Sequence, residues 1–173
     1  HFQELGESIA AQSIFTSNIY FWNHSGYFEQ PAETMPLLHT WSLAIEEQYY
    51  FFLPILLFVF FKIKKDWIIY LIILGFTISF AVSVWGTYFR PSATFYWLPT
   101  RAWELLIGSI IAYIACLRPH RSFASGWISE LTGVLGIALI AIAVFIFDKS
   151  VPFPAPLGLI PCVGSALLIL SGT

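Results

Sequence analysis

Residues 36–60, PLLHTWSLAIEEQYYFFLPILLFVF, place ionisable side chains at the start of a long apolar run. The run is long enough to cross a membrane, which takes roughly 20 apolar residues. The polar side chains at its start lie within roughly two and a half helical turns: His39, Glu46, Glu47 and Gln48. A charged side chain at the bilayer centre costs about 3 kcal/mol on insertion scales, so charges there usually serve a function. This stretch therefore predicts a membrane helix with functional polar residues near one end.

The composition of the whole chain is typical of a protein surrounded by lipid. Of its 173 residues, 58% are hydrophobic and 10% are charged, whereas soluble domains average about 45–50% and about 25%. The net charge of −2 and the lack of a basic stripe argue against a nucleic acid partner. Cys116 and Cys162 lie in apolar segments with no second ligand nearby in the sequence. We therefore expect neither a disulfide framework nor a metal site.

Four segments have the length and apolar character of membrane crossings. They span about 41–61, 67–88, 96–117 and 128–147. A fifth apolar segment, at about 157–170, is shorter and contains a proline. The predicted fold class is all-α, a polytopic transmembrane helix bundle with four to five crossings. We expect all of 1–173 to belong to one membrane domain, with 1–40 as a non-cytoplasmic or interfacial segment and 41–173 as transmembrane helices.

The basic residues indicate how these helices are oriented. Five of the eight Lys and Arg residues follow the first and third crossings: Lys62, Lys64, Lys65, Arg118 and Arg121. Short loops rich in Lys and Arg usually face the cytoplasm. The polar residues at 39–48 and at 101–104 are therefore predicted to lie together on the opposite, non-cytoplasmic side.

One group of polar residues shares a helix face. His39, Ser42 and Glu46 are spaced by three and four residues, which places them on one side of a helix. A histidine and a carboxylate at the edge of a low-dielectric region suit proton transfer. The alternative is that these groups are solvated in the headgroup region and complement a helix start. We favour the alternative for Glu47 and a functional role for Glu46.

A second group opens the third crossing, in the sequence PTRAWE at 99–104. Arg101 and Glu104 are three residues apart and can pair on one helix face. Such a self-contained ion pair is one interpretation of this motif. In the other, Arg101 pairs with Glu46 across the bundle or holds an anionic group of a substrate.

These two motifs carry a family resemblance. The segment HTWSLAIEEQYYFFLPILL follows SNIYFWNHSGYFEQPAETMPLL and precedes FYWLPTRAWELLIGSIIA. Together they closely resemble the membrane-bound acyltransferase-3 family, in its branch of bacterial O-antigen and peptidoglycan O-acetyltransferases. The resemblance covers about residues 14–116. It implies a multi-pass enzyme of the bacterial inner (plasma) membrane that transfers an acetyl or other acyl group from acyl-CoA to a hydroxyl of a cell-surface carbohydrate, such as lipopolysaccharide O-antigen.

The same resemblance implies the partners: the lipid bilayer, a carbohydrate acceptor and acyl-CoA. Acetyl-CoA would be the acyl-donor substrate, and no bound cofactor is expected. The family's catalytic histidine and a basic residue lie in its first membrane helix, and no residue here matches them. We therefore expect this chain to be an excerpt that is inactive alone, and His39 does not replace that histidine.

The family resemblance also assigns supporting roles to residues of this chain. Glu46 and Gln48 match the family's WSL-x-x-E-x-Q pattern, while Arg101 and Glu104 match its R-x-W-E pattern. The predicted residues of the catalytic centre, in supporting roles, are His39, Glu46 and Arg101. The predicted substrate-binding residues are Trp41, Ser42, Gln48 and Glu104.

A different class of protein uses the same residue types. A proton-coupled transporter or flippase of a glycan or lipid-linked precursor would use Glu46, His39 and Arg101 as a proton relay. Dependence on acyl-CoA distinguishes the two, because a transporter moves its substrate without forming an ester.

Overall fold

The computed structural model describes residues 2–24, 37–117, 126–148 and 151–172. These ranges contain helices joined by turns and short links, and no strand. The helices are α1 (Phe2–Ser13), α2 (Ser17–His24), α3 (Thr40–Ile63), α4 (Ile68–Phe89), α5 (Pro91–Tyr96), α6 (Leu98–Leu117), α7 (Trp127–Ile146) and α8 (Leu159–Ser171). A 3₁₀ turn at Lys65–Trp67 leads into α4.

Four of these helices, α3, α4, α6 and α7, are long and apolar enough to cross a membrane. Their bounds lie within about two residues of the predicted crossings, so the all-α polytopic bundle is confirmed. The third crossing begins at Leu98 and not at Tyr96, because Tyr96 ends the short helix α5. The fifth predicted segment forms α8, whose 13 residues span about 20 Å. That length is short of a hydrocarbon core of about 30 Å.

Two parts of the predicted organisation are only partly described. The segment 1–40 contains α1 and α2, but residues 25–36 lie outside the described ranges. Its assignment to the membrane interface stays a prediction. Arg118 and Arg121 of the second basic loop also lie outside those ranges, and the membrane orientation stays a prediction as well.

The centre of the bundle is the packing of α6 against α4. Trp103 of α6 has 0% of its surface exposed, and its ring meets Phe80 of α4 edge-on with the centroids 5.2 Å apart. Towards the other end, a buried cluster joins one residue from each of three helices: Tyr49, Ile72 and Leu106. These contacts fix α6 between α3 and α4, and they therefore fix the positions of Arg101 and Glu104 on α6.

A hydroxyl from α4 enters the first turn of α6. Ser79 Oγ donates to the carbonyl of Pro99 at 2.7 Å and accepts from the backbone N–H of Trp103 at 2.9 Å. These are the two groups that an α-helix joins directly, since the N–H of one residue bonds the carbonyl four residues earlier. Ser79 therefore bridges the first turn of α6 and ties its rotation to α4.

The last two helices pack through glycines. A Cβ added to Gly136 of α7 would lie 2.7 Å from the carbonyl oxygen of Gly164, and one added to Gly164 would lie 2.8 Å from that of Gly136. Ser129 Oγ also donates to the carbonyl of Ser171 at 2.6 Å. Small residues allow helix backbones to approach closely in a membrane. Among the described helices, α7 packs on α8 alone, and α8 packs on α6.

Candidate functional site

The candidate site lies where α3 and α6 begin. A half-open cavity of about 70 Å³ is lined there by residues of both helices. Its lining consists of Trp41, Ser42, Ile45, Glu46, Arg101, Glu104 and Leu105. We call it the Arg101 cavity. The structure thus brings together five of the seven residues predicted from the sequence, from two motifs that are more than 50 residues apart in the chain.

The two remaining predicted residues lie elsewhere. His39 precedes the first residue of α3, is exposed, and does not line the Arg101 cavity. Gln48 points away from the cavity, and its side-chain amide donates to the carbonyl of Phe15 at 2.7 Å and to Asn18 Oδ1 at 2.9 Å. The amide of Asn18 in turn donates to the carbonyl of Tyr96 at 3.0 Å. Gln48 therefore links α3 to α2, a packing role that the sequence did not reveal.

Arg101 pairs with Glu104 of its own helix. Arg101 Nη2 lies 2.9 Å from Glu104 Oε2, and the two side chains are 12% and 20% exposed. The self-contained pair is therefore present, but it is largely buried. Surface pairs contribute about 0–1 kcal/mol, whereas taking two charges out of water is costly unless further bonds compensate. Glu46, the carboxylate predicted to pair with Arg101 across the bundle, lines the same cavity.

Three aromatic rings surround the Arg101 guanidinium. Its Cζ lies 5.4 Å from the ring centroid of Trp41, 5.6 Å from that of Phe95 and 4.9 Å from that of Phe153. A cation within about 6 Å of an aromatic face is attracted by the ring quadrupole, more strongly when it is desolvated. The rings come from α3, α5 and the link before α8. This aromatic cage holds a positive charge inside an apolar bundle.

Two atoms of the ion pair have no hydrogen-bond partner among the described residues. Arg101 Nη1 and Glu104 Oε1 are both buried, and neither makes a hydrogen bond. A buried polar atom without a partner costs about 1–3 kcal/mol. The pair therefore keeps one donor and one acceptor that are buried without a hydrogen bond among the described residues.

Adjacent residues of α3 serve different surfaces. Glu47 lines a separate cleft of about 700 Å³ between α3 and the α1–α2 turn, together with Phe15 and Gln48. Tyr49 is buried and its hydroxyl lies 2.7 Å from Ser109 Oγ, whereas Tyr50 is exposed. The predicted face of Ser42 and Glu46 is therefore continued by Tyr49.

A third cleft, of about 440 Å³, runs between α3, α6 and α8. Its wall is mostly apolar and includes Gly108 and Ala112 of α6, and Glu104 lines both this cleft and the Arg101 cavity. Cys162 of α8 also lines it and is a free thiol. Within the described ranges, no three His, Cys, Asp or Glu side chains come together as metal ligands.

Comparison with known proteins identifies related sequences but no matching family model or solved structure. No protein-family model matches the chain, and no solved structure matches it. An uncharacterised protein of Haemophilus influenzae is 31% identical over 178 aligned positions, which cover 97% of this chain and 71% of the relative. That coverage shows a common family.

Two further relatives carry names. The peptidoglycan O-acetyltransferase OatA of Listeria monocytogenes is 33% identical over 173 positions, which cover 90% of this chain and 27% of OatA. A provisionally named membrane-bound transacylase, BcsY of Komagataeibacter xylinus, is 25% identical over 157 positions, 91% of this chain and 39% of BcsY. The chain thus spans well under half the length of both. The chain therefore belongs to one family with the Haemophilus protein, and its named relatives are an O-acetyltransferase and a membrane-bound transacylase.

Proposed function

We propose that this chain is part of an O-acetyltransferase that transfers an acetyl group from acetyl-CoA to a hydroxyl of a cell-surface carbohydrate, in the inner (plasma) membrane of a bacterium. The observation that carries the proposal is the largely buried Arg101–Glu104 pair, which lines the same cavity as Glu46. Intramembrane charges are costly to retain without a function. The named relatives are O-acetyl and acyl transferases, which selects acyl transfer over other uses of such a site.

The reaction is an exchange of a thioester for an oxygen ester. The acceptor oxygen attacks the carbonyl carbon of the acetyl group, the carbon–sulfur bond breaks, and coenzyme A leaves as the thiol. The proton lost by the hydroxyl is taken by a general base and given to the departing sulfur. We assign the base to the histidine that the family resemblance implies, which no residue of this chain matches.

The residues of the Arg101 cavity would support this step. The aromatic cage holds the guanidinium in place, so Arg101 is oriented before the substrates arrive. Preorganised charge in a site that excludes water stabilises a transition state more than mobile charge in water does. Glu46, on the opposite wall, is placed to orient the imidazole or the acceptor hydroxyl. The transporter interpretation has no support from the relatives, whose names describe transferases.

The proposal is tested in inverted membrane vesicles that contain the intact protein and cell-surface glycan. Acetyl-CoA labelled in the acetyl group should give alkali-labile label on the glycan. Acetyl-CoA labelled in the coenzyme A moiety should give none. If no acyl-CoA yields an ester, while glycan or its lipid-linked precursor moves across the membrane, the protein is a transporter and the proposal is wrong.

A further inference from the structure

The three rings around Arg101 come from different parts of the fold. Trp41 and Phe95 lie 4.5 Å apart between ring centroids, and both also meet the ring of Tyr96 at the end of α5. They form one aromatic cluster that joins α3 to α5. Phe153 comes instead from the link between α7 and α8, and its ring is the nearest of the three, with its centroid 4.9 Å from the Arg101 Cζ. Phe153 therefore brings the last two helices to Arg101.

A tight turn holds this link in place. The backbone N–H of Gly158 donates to the carbonyl of Pro154 at 2.9 Å, which closes a turn directly after Phe153. Ala155, inside the turn, is 0% exposed. A Cβ added to Gly158 would clash with the same Pro154 carbonyl, although the right-handed helical backbone angles of Gly158 suit any residue. The close approach requires a glycine here, and it fixes the residue that follows Phe153 in the chain.

The Phe153 ring is more exposed than the cation that it covers. Phe153 is 38% exposed, whereas the Arg101 side chain is 12% exposed. The ring therefore buries less apolar surface than a core phenylalanine does, and it presents its face to a guanidinium that is largely desolvated, where cation–π attraction is strongest. Glu46 lines the same cavity as Arg101 and Glu104, so a guanidinium released from the rings has a second carboxylate available.

We propose that Phe153 is a positioning residue for acyl transfer: its ring face holds the Arg101 guanidinium against Glu104, so that docking of the α7–α8 pair completes the site. This inference rests on the proposed function and adds a residue that lies outside both sequence motifs. Phe153 acts through Arg101 and needs to touch neither substrate.

The test changes the charge distribution of the ring and keeps its shape. Pentafluorophenylalanine in place of Phe153 has a ring of similar size whose face repels a cation. This replacement should lower acetyl transfer in vesicles at least about fivefold at matched protein abundance. Phe153→Tyr keeps an electron-rich face and should stay within about twofold of the wild type. The matched control is the same replacement of Phe145 on α7, which is 87% exposed, and it should leave transfer unchanged.

A second variant moves the link and leaves the ring intact. Gly158→Ala should displace the Pro154 carbonyl and lower transfer, as Phe153→Leu should. Because both changes act on one contact, the double variant should lose at most about twofold more than Phe153→Leu alone. Gly6→Ala is the control, since a Cβ there meets nothing within 4 Å. Fully additive losses would reject the role of the link in holding the ring.

The position of Arg101 can also be measured without turnover. Methylglyoxal modifies accessible guanidinium groups, and mass spectrometry of peptides reports each arginine separately. Pentafluorophenylalanine in place of Phe153 should raise the rate of modification at Arg101 at least about threefold. The exposed Arg90 is the internal reference, and its rate should not change.

The results that would overturn the proposal differ from those that would overturn the proposed function. Full acetyl transfer with pentafluorophenylalanine in place of Phe153 would show that the ring acts by packing alone, and equal losses from the replacements of Phe153 and Phe145 would reject the proposal as well. If the wild type forms no ester, the proposed function fails. Faster modification of Arg101 would then still support its positioning by Phe153, and an unchanged rate would reject it.

Discussion

The two ends of the bundle differ in how many polar side chains they bury. At the end where α3 and α6 begin, which we call the site end, polar side chains are buried, among them Asn18, Thr94, Thr100 and Ser83. At the other end, the basic end, Lys62 lies 4.6 Å from the Phe58 ring and Lys64 lies 5.3 Å from the Trp67 ring. These two lysines are exposed.

This difference separates charges that are costly to place from charges that cost little. A lysine near a helix end reaches the membrane surface with its charged tip while its stem stays on apolar surface, so it costs little. Arg101 is buried with a partner, three rings and an unused N–H. A buried charge of this kind is costly to retain without a function, whereas exposed lysines at helix ends commonly anchor and orient membrane helices.

The largest expected effect concerns the orientation of the two ends. Cysteines placed singly at Ile63, at the basic end, and at Ser92, at the site end, should label oppositely with an impermeant thiol reagent in intact cells. Both positions are exposed, so accessibility is decided by the side of the membrane. Cys116 and Cys162 are first replaced by alanine. Equal labelling would disprove the predicted orientation and the assignment of the basic end to the cytoplasm.

A reciprocal exchange of basic residues compares the ends directly. Arg101→Lys should lower acetyl transfer at least about tenfold, some 1.4 kcal/mol of transition-state stabilisation, because an ammonium cannot reproduce the planar fork inside the cage. Lys62→Arg should leave transfer unchanged. Both are measured as ester formed in vesicles at matched protein abundance. Full activity in Arg101→Lys would return Arg101 to a structural role.

Neighbouring glutamates provide the next comparison. Glu46 lines the Arg101 cavity and Glu47 lines another cleft, since adjacent residues on a helix point about 100° apart. Glu46→Gln should reduce glycan acetylation about fivefold, close to 1 kcal/mol, while Glu47→Gln keeps most of it. The assignment of the two faces is wrong if both variants lose the same activity at equal membrane levels.

The smallest expected effect concerns the hydroxyl that bridges the first turn of α6. Ser79→Ala should lower the free energy of unfolding by about 0.5–1 kcal/mol, because it removes two hydrogen bonds between α4 and α6. The loss is small because the Pro99 carbonyl and the Trp103 N–H can then bond each other directly. Thr77→Val is the control, since the Thr77 hydroxyl bonds the carbonyl of Ile73 within its own helix. Unfolding midpoints in detergent give the comparison. A similar loss in both variants would show that the link between α4 and α6 adds nothing.

The fold was accessible from the sequence because each crossing is encoded locally. Runs of about 20 apolar residues give the four long helices, and the spacing of Arg101 and Glu104 gives their pair. The side of α3 that carries Ser42 and Glu46 follows from the same periodicity.

The rest of the site depends on tertiary packing, which local patterns do not encode. Phe153 reaches Arg101 from a proline-rich link some 50 residues later, and the spacing of residues gives no sign of it. Gln48 matches a family motif, but in the structure it bonds α2, because Asn18 happens to lie beside that turn of α3. His39 shares the predicted face but precedes α3 and is exposed.

The bridge made by Ser79 has a consequence for how the protein is made. Membrane helices are inserted first and associate afterwards, and α4 precedes α6 in the chain. Until α6 docks on α4, the first turn of α6 can close by its own backbone bond, and the Ser79 arrangement forms only on docking. The orientation of Arg101 and Glu104 is therefore acquired late, as the helices assemble. An unassembled chain would carry the residues of the site without its geometry.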